Sequence, residues 1–233
     1  MDTTASSIKS KERVQQHGEV FTPDSIVNDM LDLVDAELKT DDIKKYIDST
    51  YLEPSCGTGN FLIRILDRKL EAVQLLPEDE QEEWLLHAVA SIYGVDIQKD
   101  NVLESRERML ELIENGSVDV LDLPDRETQP WHFKGIKLNP AVRKVVEDIL
   151  EHNILHGDCL TGHAYEGVVD TNVNLVFIQY TWKDGKVNCS GHSLDDIKNN
   201  TSNDLLENYG RYVPYLQLSS LNLDYSDDAG TDF

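Results

Sequence analysis

From residue 22 to about 151 the apolar positions fall into helical stripes, separated by short continuous apolar runs. Thr22-Pro23-Asp24-Ser25 carries helix-start chemistry, with Thr22 and Ser25 as candidate caps. A stripe of Ile26, Met30, Leu33, Val34 and Leu38 predicts a helix to Leu38. A polar helix or loop over 41–49 leads to a first strand at Tyr51-Leu52. Phe61, Leu62, Ile65, Leu66, Leu70 and Val73 repeat at helical spacing, and a further helix opens at 77–83 and reaches Val89. A second strand is expected over Ser91–Val95. A helix over Lys99–Leu112 turns Val102, Met109 and Leu110 inward, with Ile113 just beyond. Residues 115–139 have no period. A helix over Ala141–Glu151, a third strand over Asn153–His156 and a fourth over Val173–Tyr180 complete the pattern.

Strands alternating with helices predict an α/β fold, a mostly parallel sheet with helices on both faces, preceded by a helical segment. In such sheets ligands lie at the carboxyl ends of the strands. After Trp182 the pattern changes. Lys183-Asp184-Gly185-Lys186 is turn chemistry between two β-like runs and predicts a hairpin. Residues 195–208 are polar, and 224–233 form an acidic tail expected to lack order. The expected organisation is an arm over 1–16, a main domain over 17–182, an extension over 183–223 and the tail.

Composition narrows the picture. The chain has 233 residues, 39% hydrophobic, with mean hydropathy −0.43. No apolar run approaches the roughly 20 residues of a membrane helix, and Met1–Gln16 is too polar for a secretory leader, so a cytoplasmic protein is expected. Three scattered cysteines, Cys56, Cys159 and Cys189, read as reduced thiols. Forty-four acids against 21 bases leave a net charge of −23. Affinity for duplex DNA comes largely from bases that displace counterions, so a chain this acidic is expected to meet DNA only through a partner. Plain solubility explains the acidity equally well.

The most informative words are short. Thr-Tyr-Leu-Glu-Pro-Ser-Cys-Gly-Thr-Gly-Asn-Phe-Leu spans 50–62: a strand ending in Glu53, a turn with Gly57 and Gly59, then a helix. Glycines let backbone approach a ligand closely, and the first helical amides point at it. An acid closing the strand suits a ligand with a positive group. The turn lacks the third glycine of a dinucleotide fingerprint and the Lys-Ser/Thr of a triphosphate loop. No histidine grouping has metal-ligand spacing: His152 and His156 lack the accompanying Glu of a zinc helix, so no metal site is expected.

With His-Gly-Glu-Val-Phe-Thr-Pro at 17–23, Ile-Tyr-Gly-Val-Asp-Ile at 92–97 and Asn-Ile-Leu-His-Gly-Asp-Cys-Leu at 153–160, this turn resembles the S-adenosylmethionine (AdoMet) binding half of DNA adenine-N6 methyltransferases of restriction-modification systems. The likeness covers roughly residues 10–160 and implies a Rossmann-like class I methyltransferase fold. It implies that Glu53 faces the ammonium of AdoMet and that Pro54, Ser55, Cys56, Gly57 and Gly59 pass under its methionine part. Asn60 and Phe61 would begin the adjoining helix, Phe61 serving the ligand or simply the core. Asp96 would hold the ribose hydroxyls and Ile97 cover the adenine; Asp158, beside Cys159, would accept from the adenine amine. Phe21, Thr22 and Pro23 would hold the carboxylate. Each acid also has an ordinary reading as a strand-end or turn residue.

The family next implies Asn/Asp-Pro-Pro-Tyr/Phe at the end of the fourth strand, where the amine of a flipped adenine is oriented by acceptors on a rigid backbone. Here Gln179-Tyr180-Thr181-Trp182 stands instead. Gln179 keeps an amide, Tyr180 and Trp182 supply aromatics, and both prolines are missing. The chain also has fewer strands than the family's full sheet, so an incomplete fold is expected. The reading is an AdoMet-binding methyltransferase, or its cofactor subunit, whose catalytic and DNA-reading parts come from a second chain or self-association. An autonomous methyltransferase on another substrate and a non-catalytic AdoMet-binding module remain as alternatives.

Overall fold

The computed structural model describes residues 22–38, 40, 42–118, 133–183, 186–199 and 213–214. The arm over 1–16, Phe21 and the acidic tail lie outside them. The elements in chain order are α1 (Asp24–Leu38), α2 (Ile43–Ile47), β1 (Tyr51–Glu53), α3 (Asn60–Val73), α4 (Glu78–Ala90), β2 (Ile92–Asp96), α5 (Lys99–Asn115) and α6 (Pro140–Asn153). Next come β3 (Ile154–Asp158), β4 (His163–Glu166), β5 (Val169–Asn174), β6 (Val176–Lys183), β7 (Lys186–Ser193), α7 (Leu194–Asn199) and β8 (Val213–Pro214).

The protein is α/β. Strands β1 to β5 form one mixed sheet in that order. β1, β2 and β3 run parallel, while β3–β4 and β4–β5 are antiparallel. β2 is buried along its whole length, as the Ile-Tyr-Gly-Val-Asp run requires. Strand alternation sends Ile92, Gly94 and Asp96 to one face and Tyr93 and Val95 to the other. The first face takes the helices. Gly94 leaves room there: a Cβ would stand 2.9 Å from Leu62 Cδ1 and 3.4 Å from Cys56 Cβ.

The second face differs from the sequence expectation of helices on both sides. Tyr93 and Val95 are covered by Leu175, by Phe177 of β6 and by Leu194 at the start of α7. The run expected as one strand over Val173–Tyr180 breaks at Leu175, whose amide donates to Gly162 O at 2.7 Å. The strand beyond the break, β6, belongs to a separate antiparallel sheet with β7 and β8. The expected hairpin is present, with Lys183 opposite Lys186, and it straddles the boundary drawn at 182.

β6 also runs against the parallel strands. Leu175 is bonded to the β3–β4 turn, at the carboxyl end of β3. The Ile178 amide meets Asn153 Oδ1 (3.1 Å), just before β3 begins, and Tyr93 Oη donates to Ile178 O (3.2 Å). Trp182 then lies 4.8 Å from His87, at the end of α4 and ahead of β2. β6 thus descends from the carboxyl ends of β1–β3 to their amino ends. Among the described residues no helix is long and apolar enough to cross a membrane.

α1 is held on α3 by charge. Asp24 makes a two-pronged pair with Arg64, one arm 2.7 Å from Nε, and both side chains are buried. Arg68 reaches Asp32 and Asp35, and the hydroxyls of Tyr46 and Tyr51 converge on the same Asp35 carboxylate. Lys69 is fully buried and donates to Ile47 O (2.5 Å), Ser49 O (2.6 Å) and Ser91 Oγ (2.9 Å), which fastens α3 beneath the starts of β1 and β2. Burial lowers its pKa from 10.5 to about 7, opposed by Asp48 and Asp35.

Candidate functional site

The turn after β1 is built on β2. The Cys56 amide donates to Val95 O at 2.8 Å, which carries the chain across the end of β2. The next amide, that of Gly57, donates to Asp96 Oδ2 at 2.8 Å. Gly57 and Gly59 both adopt left-handed φ, 53° and 88°, which side chains rarely tolerate. Gly59 additionally abuts Ser105 of α5, 2.8 Å from where a Cβ would be. As the N-cap of α3, Gly59 offers no side chain to cap the first-turn amides.

The carboxylates share one face of the sheet. Glu53 pairs laterally with Gly94, and Gly94 with Ile154. Asp96 lies two residues beyond that level and Asp158 four, so all three alternate to the face that carries α3. At about 3.3 Å per residue along a strand and about 4.8 Å between strands, they form a diagonal with steps of roughly 8 Å. Glu53 is half-buried and accepts from the Ser55 amide at 3.3 Å; burial raises its pKa, against that hydrogen bond. Asp96 is buried, and its Oδ1 accepts from the Gln98 amide (2.8 Å) and Asn101 Nδ2 (3.2 Å). Asp158 is half-buried and accepts from the Leu160 amide at 2.8 Å.

Pro54 and Ser55 are exposed at the turn, and Cys56 is buried beneath it. Burial, with Asp96 and Glu53 nearby, pushes the Cys56 thiol well above its usual range. Ile97 is partly exposed beyond Asp96, its carbonyl 3.1 Å from His156 Nε2. Cys159 packs on the Tyr93–Val95 cluster, and Phe61 packs on the main core.

Thr22 and Pro23, the described end of the N-terminal word, come to the same place. Asn60 Nδ2 donates to Thr22 O at 3.1 Å, which brings Thr22-Pro23 against the first turn of α3. Arg108, on α5, completes the arrangement: its Nη1 lies 2.6 Å from Thr58 O, 3.1 Å from Thr58 Oγ1 and 3.0 Å from Asn60 Oδ1. Burial lowers the Arg108 pKa, while Glu104, Glu111 and Asp24 oppose the shift. Sequence reasoning missed Arg108 and Asn101. Both sit on a helix whose spacing reports only which face is apolar.

Gln179, Tyr180 and Trp182 are not brought to this site. Gln179 is exposed, Tyr180 is buried in the main core, and Trp182 lies tilted against His87, which in turn stacks on Trp84. His87 Nδ1 is 3.0 Å from Asp48, ahead of β1, so this aromatic group lies at the amino end of the sheet, opposite the glycine turn. A shallow cleft lined by Arg106, Glu107, Leu110, Glu147, Leu150 and Glu151 lies between α5 and α6, away from the turn. Among the described residues no histidine, cysteine and acid grouping could hold a metal ion.

The chain matches no protein-family profile, no curated protein sequence and no solved structure.

Proposed function

We propose that this protein is the AdoMet-binding part of a DNA adenine-N6 methyltransferase of the restriction-modification kind, with the methyl-accepting chemistry and DNA contacts supplied by a partner. The observation that carries this reading is the stagger of Glu53, Asp96 and Asp158 on one face, beginning at a glycine turn and an open helix N-terminus. AdoMet is an elongated ligand with an ammonium at one end, a ribose diol in the middle and an adenine amine at the other. Three acceptors in a line match those three donors in order. Thr22-Pro23, docked on Asn60 beside the glycine turn, is the segment that this reading assigns to the ligand's carboxylate.

The chemistry of the acceptor side favours the partner. Adenine N6 is a poor nucleophile, and its methylation depends on acceptors held within reach of the sulfonium methyl. Gln179, Tyr180 and Trp182 stand at the far end of the sheet, which weighs against an autonomous enzyme using them. The net charge of −23 points the same way, since it opposes direct contact with DNA phosphates.

Titration calorimetry of the purified chain with AdoMet tests the reading. Binding is expected for the wild type, with a sharp loss in Gly57→Val and Asp96→Ala. Affinity unchanged in both variants, or no binding by the wild type, rejects it. Labelled-methyl transfer to DNA is then expected only when a partner is added.

A further inference from the structure

We propose that Arg108 is a positioning residue that shapes the subsite for the amino-acid end of the ligand; the proposal rests on the AdoMet reading above. The same nitrogen reaches the carbonyl and hydroxyl of Thr58, inside the glycine turn, and the side-chain oxygen of Asn60, the first residue of α3. Because Arg108 takes the Asn60 oxygen, the Asn60 amide group is turned the other way and donates to Thr22 O. One cation therefore orients the turn, fixes which way the Asn60 amide faces and, through it, docks Thr22-Pro23. None of these contacts involves the nucleoside-side residues Asp96, Ile97 or Asp158.

That separation has a chemical consequence. Losing the guanidinium frees Thr58 and lets the Asn60 amide flip, so the Thr22 carbonyl loses its donor. The damage falls on the segment that would hold a carboxylate and an ammonium. Asp96, held by Gly57, Gln98 and Asn101, keeps its donors, so the part that would hold the nucleoside stays in place. A lysine also presents a single nitrogen, but on a shorter side chain that stops short of the Nη1 position, so it reaches only some of the same acceptors. The function of Arg108 is thus to give the site its preference for a nucleoside that carries an amino-acid tail over one that does not.

Two ligands separate the halves. S-Adenosylhomocysteine carries the amino-acid end, whereas 5′-methylthioadenosine has the same nucleoside and sulfur without it. Calorimetry would compare both on the wild type, Arg108→Ala and Arg108→Lys, with thermal melting alongside. In Arg108→Ala the affinity for S-adenosylhomocysteine should fall at least about tenfold while that for 5′-methylthioadenosine changes by less than about twofold, with Arg108→Lys in between. An equal loss for both ligands, or no loss for S-adenosylhomocysteine, overturns the proposal. If Arg108→Ala does not fold, the same differential at about threefold or more is required of Arg108→Lys, and its absence overturns the proposal. A wild type that binds 5′-methylthioadenosine but gains nothing from the tail overturns this inference and leaves the nucleoside site standing. A wild type that binds neither overturns both readings.

Discussion

The amide of Gly57 donates to the carboxylate of Asp96 across the ends of two neighbouring parallel strands. A backbone donor on the turn and a side-chain acceptor 39 residues later thus close one corner of the site. The other Asp96 oxygen is already bonded to Gln98 and Asn101, so this acid holds together the turn, β2 and the start of α5. Asp96→Ala strands two amides and an Asn donor, and should cost roughly 2–4 kcal/mol of stability as well as ligand affinity. Asp96→Asn keeps one acceptor oxygen and should cost less. Urea unfolding of the wild type and both variants measures these losses, and variants as stable as the wild type would show that the clasp contributes nothing.

Gly59 should not accept a side chain. Alanine there would take up a φ of 88° and meet Ser105 Cβ at 2.8 Å. We expect Gly59→Ala to lose about 2 kcal/mol or more by chemical denaturation. Pairing it with Ser105→Gly should recover part of the loss, because only the contact, and not the backbone strain, is relieved.

Trp182 should matter for stability and not for the ligand. Removing a large aromatic from the group with His87 and Trp84 costs about 3 kcal/mol in a packed setting. Trp182→Ala is therefore expected to lower the melting temperature while leaving AdoMet affinity within about twofold of the wild type. Gln179→Ala, on an exposed side chain, should change neither. A marked loss of binding in either variant would place part of the ligand at the amino end of the sheet.

Lys69 gives stability a pH dependence with a definite sign. Its pKa is lowered from 10.5 unfolded to about 7 folded, so between these values the unfolded chain holds a proton that the folded chain does not. Stability should therefore rise as pH increases from about 7 towards 10.5, and this contribution is lost as pH falls back through 7. In Lys69→Met that part of the slope should disappear. Denaturant midpoints at pH 7, 8 and 9 for both proteins test it; parallel curves would mean that Lys69 stays charged throughout.

Salt should stabilise the fold. With a net charge of −23 the folded chain repels itself, and that repulsion is screened as the Debye length falls from about 10 Å at 0.1 M to about 3 Å at 1 M. The melting temperature in KCl should climb by several degrees across that range. A flat or falling curve would show that paired acids, such as Asp24 on Arg64, dominate over repulsion.

Local chemistry was the readable part. The glycine turn, the helix after it and the acid closing β2 are local patterns, and Asn60–Val73 begins within a residue of its expected start. The direction of β6 was not readable. An apolar β-branched run looks the same whether it joins the parallel sheet or descends across it, and the bond from the Leu175 amide to Gly162 that breaks the run is set by tertiary structure. For the same reason the order of Gln179 and Trp182 along the chain did not reveal that Trp182 lies at the amino end of the sheet, opposite the glycine turn. The roles of Arg108 and Asn101 depend on contacts 5 to 50 residues away in the chain, which helical spacing does not encode.

Lys69, Arg106 and Arg108 donate to backbone carbonyls of the chain: those of Ile47 and Ser49, of Glu151 and Ile154, and of Thr58. Their donors are therefore engaged within the fold. A polyanion touching the surface finds fewer cationic groups free to pair with its charges than the raw tally of lysines and arginines suggests.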